Sequence, residues 1–314
     1  MKTPGAGTTV ATAQEGAKVA QPVIAAPAPK APPFQISSIH EAQRWLKLFV
    51  YANYGIGKTQ LVGSSALVPQ MQDVLMIDAE AGDLTIASDT NISEDEFRSR
   101  IDRVRCPDFK TFARLQEFLK LHCRYRDEGD IPKLKELEKK LRSDFDPDSP
   151  PRMYKTVIID SLTELEAFSM YGLLGITDRT GLDEETATAE WGEFKKNNTQ
   201  ILRAVRAYRD LPLNVLITGA AAYIQNDAKK MIYQPALTGK LAKQIQGFMD
   251  VVGFMAVVNG GENVGEVRRM FVQPGPNYDA KNRFSNYKER YFDNPTIMSI
   301  LKAVGLLEPA TPKK

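Results

Sequence analysis

Leu46-Lys47-Leu48-Phe49-Val50-Tyr51-Ala52-Asn53-Tyr54-Gly55-Ile56-Gly57-Lys58-Thr59-Gln60-Leu61-Val62 passes from an apolar run, through two closely spaced glycines, into the start of a helical pattern. The octet from Ala52 to Thr59 has the Walker A layout. A glycine-rich turn lets successive backbone N–H groups approach phosphate oxygens, and the helix that follows adds the positive end of its dipole. The loop Asn53, Tyr54, Gly55, Ile56, Gly57, with Lys58, Thr59 and Gln60, is therefore the expected nucleotide cradle. Lys58 is placed to reach the outer phosphates and the Thr59 hydroxyl to ligate Mg²⁺. The strict pattern opens on glycine, and Ala52 stands there instead. That departure is tolerable only if Ala52 keeps a negative φ.

Outward from this stretch, further apolar runs at 74–77, 156–159 and 214–218 alternate with longer helical patterns. Such alternation predicts an α/β fold with a mainly parallel sheet flanked by helices. Each run ends in small or polar residues, where such sheets carry binding loops. A long helix over 186–209 is expected to cross from the third run to the fourth. The segment 108–151, with two charge-dense amphipathic patterns ending in Asp-Pro-Asp-Ser-Pro-Pro, reads as a helical insertion. Its lysines alternate with glutamates as on a solvated helix face, the alternative being a DNA-binding face. Residues 1–33 are Ala/Pro-rich with almost no large apolar side chain, which predicts a disordered tail. The folded domain is expected over 34–307, with a flexible terminus over 308–314.

The second run ends in Ile77-Asp78-Ala79-Glu80-Ala81-Gly82, and the third in Val157-Ile158-Ile159-Asp160-Ser161. The latter reads as Walker B: a carboxylate at the tip of a buried strand holds the metal, and a second one nearby orients and deprotonates the attacking water. Asp160 takes the metal role. Together with the phosphate loop, these runs resemble the RecA family, and the resemblance implies a RecA-like P-loop NTPase core with Glu80 as general base. Within that family the chain is similar to the phage nucleotide-binding ATPases of the Sak type, which are linked to single-strand annealing and recombination. The similarity rests on Pro235-Ala236-Leu237-Thr238-Gly239-Lys240, on residues 247–253, and on Tyr278-Asp279-Ala280-Lys281-Asn282-Arg283-Phe284. It spans roughly 46–307 without the helical insertion. Lys281-Asn282-Arg283-Phe284 also resembles the Lys-Asn-Arg-Phe-Gly motif of RadA-type and DnaB-type ATPases, with Ser285 in place of the glycine. Lys281 and Arg283 are then candidate cationic fingers for the transferred phosphoryl group, and a ring or filament follows if they act in trans. A polar surface turn after Pro274-Gly275-Pro276-Asn277 is the other reading of these residues. RecA-like proteins place a polar sensor after the fourth strand; here Gly219-Ala220-Ala221-Ala222 follows Thr218.

The whole-chain balance of 41 basic and 39 acidic residues is too even for a generally polyanion-binding surface. Any DNA contact must be local, and the expected loop from Tyr223 to Gln234 offers Tyr223, Lys229, Lys230 and Tyr233 for stacking and phosphate neutralisation. A solvated loop without a partner explains the same composition. Arg268 and Arg269 read as a sheet-edge pair, Trp45 and Trp191 as packing residues, and His122-Cys123 as ordinary helix residues without a second metal cluster. Two cysteines and no apolar stretch of membrane length suit a soluble cytoplasmic protein, which the resemblance places in a phage-infected bacterial cell. The resemblance implies an ATP- and Mg²⁺-dependent ATPase acting on single-stranded DNA in recombination, annealing or replication. It also implies self-association and a single-strand DNA-binding protein as candidate partner. The alternative is a nucleotide-dependent DNA-binding adaptor with little hydrolysis.

Overall fold

The computed structural model describes residues 45–88, 98–225, 229–261 and 265–307; the segments 1–33 and 308–314 lie outside the described residues. The chain builds β1 (Lys47–Ala52), α1 (Lys58–Gly63), β2 (Val74–Asp78), α2 (Asp83–Ala87), β3 (Ile101–Arg105), α3 (Phe109–Glu128), α4 (Ile131–Lys139), β4 (Thr156–Asp160), α5 (Leu162–Leu173) and α6 (Trp191–Arg209). It continues through β5 (Asn214–Gln225), β6 (Met231–Pro235), α7 (Leu241–Gln246), β7 (Val251–Asn259), β8 (Glu266–Phe271), β9 (Lys281–Asn282), β10 (Tyr291–Asp293) and α8 (Ile297–Val304). The sheet runs in the order β10-β8-β7-β1-β5-β4-β2-β3, with β6 against β5 and β9 against β7. From β3 to β7 every pairing is parallel, and β8, β10, β6 and β9 add antiparallel pairings.

β1 lies inside this sheet between β5 and β7, and both of its faces are covered. Phe49 and Tyr51 enter one apolar cluster, with side chains of α3, α5, α6 and α7. Leu48, Val50 and Ala52 enter the other, with α1 and α8. A strand buried on both faces reads as a continuous apolar run, which is why β1, β2, β4 and β5 stood out in the sequence. After β1 the chain leaves for the α1 face, and after β4 it leaves for the α5 face. Connections departing to opposite faces open a crevice at the carboxyl ends of the strands, the topological switch point of an α/β sheet.

The chain departs from the sequence expectation in three places and adds one strand that the pattern did not show. The segment 108–151 supplies α3, the crossover helix between β3 and β4, whose Phe112, Leu119 and Cys123 lie in the core; Phe112 stacks on Tyr208 with centroids 4.6 Å apart. α4 buries Leu134 but leaves its other face to solvent, where Lys140 pairs with Glu136 at 2.9 Å. β3, Ile-Asp-Arg-Val-Arg, escaped detection because it is an edge strand with β2 as its sole neighbour among the described residues, a place where charged residues are tolerated. The helix expected from 186 begins at Trp191, where the Glu193 carboxylate accepts the Glu190 N–H at 3.2 Å. Trp191 itself is 86% exposed and packs no core.

At the opposite end of β1, buried Lys47 donates to the carbonyls of Leu211 and Leu213 at 3.0 and 2.5 Å. Burial pulls its pKa down to about 8, against the attraction of Asp250. A lysine whose folded pKa lies below its unfolded value of 10.5 destabilises the fold while charged. Between pH 8 and 10.5 the unfolded chain holds the proton and the folded one does not. Stability of the wild type relative to Lys47→Met should therefore rise over that window, by up to roughly 1.4 kcal/mol per pH unit. Paired denaturant titrations at about pH 7, 8.5 and 10 check this, and a pH-independent difference would contradict it.

The phosphate loop and its carboxylates

Ala52 closes β1 in extended conformation, so the position needs no glycine; the left-handed residues are Gly55 (φ 76°) and Gly57 (φ 94°). Glycine is thus used where the turn requires it. The loop delivers Lys58 as first residue of α1, with the loop residues Asn53, Tyr54 and Gly55 exposed above the sheet. Lys58 is buried and lies back over the loop, Nζ donating to the carbonyls of Ala52 (3.3 Å) and Asn53 (3.2 Å). Burial lowers its pKa, while Glu80 and Asp160 oppose the shift, so two negative groups face the ammonium. These carbonyl bonds are replaceable by phosphate oxygens, stronger acceptors for a cation.

Facing the loop, β2 and β4 end level with each other, Asp78 opposite Asp160. The two carboxylates are held differently. Asp78 accepts the Gly82 N–H at 2.9 Å and pairs with Arg103 at 2.8 Å, and Arg103 also reaches Asp83 at 3.0 Å. These contacts wind residues 79–82 into a fixed turn and project Glu80 toward β4, where the Ser161 hydroxyl donates to Oε1. Asp160 is fully buried, and its side-chain partners among the described residues are neutral hydroxyls: Thr59 Oγ1 donates to Oδ2 at 2.9 Å, and Thr218 donates to Oδ1. Burial pushes its pKa up, with these hydroxyls opposing. A buried carboxylate whose direct partners are neutral hydroxyls, with the Lys58 ammonium nearby but not bonded to it, fits a hard cation such as Mg²⁺, which takes one or two protein oxygens and completes its shell with phosphate and water. Among the described residues no cluster of three or more His, Cys, Asp or Glu forms a self-sufficient metal site. The fit is that of a nucleotide-dependent one.

The loop, Lys58, Thr59, Glu80 and Asp160 thus converge in one crevice, joined by Thr218, Ser161 and Gly82, to which the sequence reading assigned no role in holding the carboxylates. No polar side chain follows Thr218 on β5 before Tyr223; the Ala220 N–H is held by the Thr163 hydroxyl at 3.0 Å. Lys281 and Arg283 are not brought to this crevice. They lie where β9 meets the beginning of β7, level with the beginning of β1, at the far end of the sheet. There Lys281 Nζ donates to the carbonyls of Gln246 and Met249, and Arg283 pairs with Asp250 at 3.3 Å. The expected loop around Tyr223 is a hairpin: β5 runs on to Gln225 and pairs with β6, Tyr223 opposite Tyr233. Tyr223 is 54% exposed, whereas Tyr233 is half-buried against Phe254. Lys229 and Lys230 stand just before β6. Arg268 and Arg269 are no edge pair, since β8 lies between β7 and β10 and adjacent strand residues point to opposite faces. Arg269 binds Asp293, and Arg268 reaches Gln60 beside the phosphate loop.

A glycine-rich loop on an inner parallel strand, followed by a helix that opens on Lys-Thr and faced by a buried strand-end aspartate, defines a P-loop nucleotide-binding site. A family described as "AAA domain" matches residues 44–284, and the chain belongs to it. ATP is the nucleotide that membership implies, typically with Mg²⁺. No curated protein matches the chain in sequence. Among solved structures it is similar to a KaiC-like protein of the hyperthermophilic archaeon Pyrococcus horikoshii, at 11% identity over 78% of this chain and 83% of that one (TM-score 0.38). It is also similar to the RadB recombinase, at 15% identity over 72% of this chain and 81% of that one (TM-score 0.36). A further solved ATPase domain is similar at 13% identity over 80% of this chain and 81% of that one (TM-score 0.39). Among the described residues no helix is long and apolar enough to cross a membrane.

Gly82 tests the crevice directly. Its φ of −82° suits alanine, yet a Cβ there would come within 2.7 Å of Asp160 Oδ2 and 3.5 Å of Thr59 Oγ1. Gly82→Ala should weaken Mg²⁺-dependent ATP binding on the order of 10-fold or more, as changes beside metal ligands do. Titrations at several Mg²⁺ concentrations, with circular dichroism as the fold control, measure it. An unchanged Mg²⁺ dependence would remove Asp160 from the metal site.

Proposed function

We propose that this chain is a Mg²⁺-dependent ATPase acting on single-stranded DNA as an oligomer, in the recombination, annealing or replication chemistry of the Sak-type phage proteins it resembles, in the cytoplasm of an infected cell. The observation that carries the hydrolytic reading is the convergence of Lys58, Thr59, Glu80 and Asp160 on one crevice. Asn53–Gln60 would hold the phosphates by backbone N–H groups, and Lys58 would exchange its two carbonyls for phosphate oxygens. Thr59 and Asp160 would hold Mg²⁺, which when bound neutralises charge on the phosphoryl oxygens. Glu80, steadied by Ser161, would orient and deprotonate the attacking water.

The DNA reading is supported by β5. One continuous strand carries Thr218, bonded to Asp160, and, five residues or roughly 17 Å further on, exposed Tyr223. A base stacked on Tyr223, with Lys229 and Lys230 near the backbone, would be linked through that strand to the metal carboxylate. Lys281 and Arg283 lie too far from the chain's own loop to serve it, so as fingers they would serve a neighbouring copy in a ring or filament. The adaptor reading keeps one observation in its favour, the apolar Gly219–Ala222 segment where a polar sensor would stand.

ATPase assays with and without single-stranded oligonucleotide separate these readings. Wild-type turnover should rise with DNA. Lys58→Ala should abolish it, and Glu80→Gln should lower it roughly 10²- to 10⁴-fold while ATP still binds. Arg283→Ala should lose activity alone and recover part of it when mixed with Lys58→Ala, whose intact Arg283 serves the variant's site. Turnover indifferent to DNA, with no salt-sensitive oligonucleotide binding, rules out the DNA reading. Tight ATP binding without phosphate release selects the adaptor.

A further inference from the structure

Arg268 stands on β8, opposite Val257 of β7 and so beyond the level of Met255, which faces Ala52 at the end of β1. Alternation along the strand puts it on the face of Met270 and Val272, the face that α1 covers. Its backbone is fixed on both sides by Asn294, which accepts its N–H at 3.2 Å and donates to its carbonyl at 2.6 Å. The guanidinium lies against the phosphate loop: a Cβ at Gly57 would come within 2.5 Å of Nη1, so glycine is needed there for this approach as well as for its φ of 94°. Nη1 donates to the Gln60 side chain.

Two further features single this arginine out. Arg269 and Arg283 each have a carboxylate partner, whereas Arg268 has none within ion-pair distance among the described residues. A guanidinium offers several N–H donors, and the one engaged among the described residues meets a neutral acceptor. Beside it a cleft of about 130 Å³ opens between α1 and the β10–α8 connection, lined by Gly57, Gln60, Leu61, Arg268, Asn294 and Pro295. The strand order places β8 on one side of β1, and β4 and β2, with Asp160 and Glu80, on the other. A nucleotide whose terminal phosphate faces Glu80 must therefore direct its inner phosphates and nucleoside toward Gln60 and Arg268.

We propose that Arg268 is a nucleotide-binding residue, an in-chain guanidinium that exchanges Gln60 for the α- and β-phosphate oxygens of a nucleoside di- or triphosphate. This rests on the phosphate-loop reading and adds to it a cation supplied by the same chain. Calorimetric titration of the full chain with Mg²⁺-ATP and Mg²⁺-ADP tests it, using wild type, Arg268→Gln and Arg268→Lys, with melting temperature before nucleotide addition as the fold control. Arg268→Gln should weaken both nucleotides alike, on the order of 10- to 100-fold, as loss of a charge-assisted bond does. Arg268→Lys should recover part of the loss, and it carries the test if the Gln variant does not fold. Unchanged affinity in both variants overturns the proposal while leaving the phosphate loop intact, and a loss confined to ATP overturns the assignment to the inner phosphates. A wild type that binds neither nucleotide removes the phosphate-loop reading, and this inference with it.

Discussion

Asp160 is a carboxylate with no exposure to water, and the site is arranged around the cost of keeping it there. An ionised group in the interior must be hydrogen-bonded or paired. Here the bonds come from Thr59, at the start of α1, and from Thr218, on the neighbouring strand. Neither hydroxyl arrives unless β1 and β5 sit in parallel register beside β4 and the loop turns at Gly55 and Gly57. Asp78, one strand away and equally deep, is compensated by Arg103 and a backbone N–H. The contrast divides the labour: one carboxylate is neutralised and holds the turn that carries Glu80, and the other is left with neutral donors, where a cation would fit.

The parts of this site legible in the sequence are those whose chemistry is local in the chain. The phosphate loop is contiguous, and a buried parallel strand ending in a carboxylate leaves an apolar run with a polar stop. Ala52 departs from the glycine pattern without harm because β1 extends through it, which moves the turn, and its need for glycine, to Gly55 and Gly57. What could not be read is what long-range pairing creates. Ser161 and Gly82 are unremarkable residues until Glu80 and Asp160 are set beside them from elsewhere in the chain. β3 was hidden by the charges an edge strand tolerates. The dense charge of α3 obscured a narrow apolar stripe through Phe112, Leu119 and Cys123 that makes it part of the core layer. Arg268 and Arg269 were misjudged for a reason the sequence did contain: neighbours on a strand face opposite ways, so they could not act as a pair.

That opposition bears on how negative charge is met. The basic residues that the motif pointed to, Lys281 and Arg283, lie at the amino end of the sheet, satisfied by carbonyls and by Asp250. Besides Lys58, the cation against the loop is Arg268, without a carboxylate partner among the described residues. On the proposed reading, charge would reach bound phosphate from within the chain, by Lys58 at the outer phosphates and Arg268 at the inner ones, and from outside it, by a neighbour's Lys281 and Arg283 at the terminal one. The in-chain cations would be present in every copy, and Arg268 among them would favour di- and triphosphates alike. The external pair would require a neighbour, so its contribution would depend on assembly. If binding and turnover draw on different cations, nucleotide occupancy need not commit the chain to hydrolysis. β5 runs without interruption from Asp160's partner Thr218 to exposed Tyr223, so if DNA stacks there as proposed, one rigid strand would link its occupancy to the metal carboxylate.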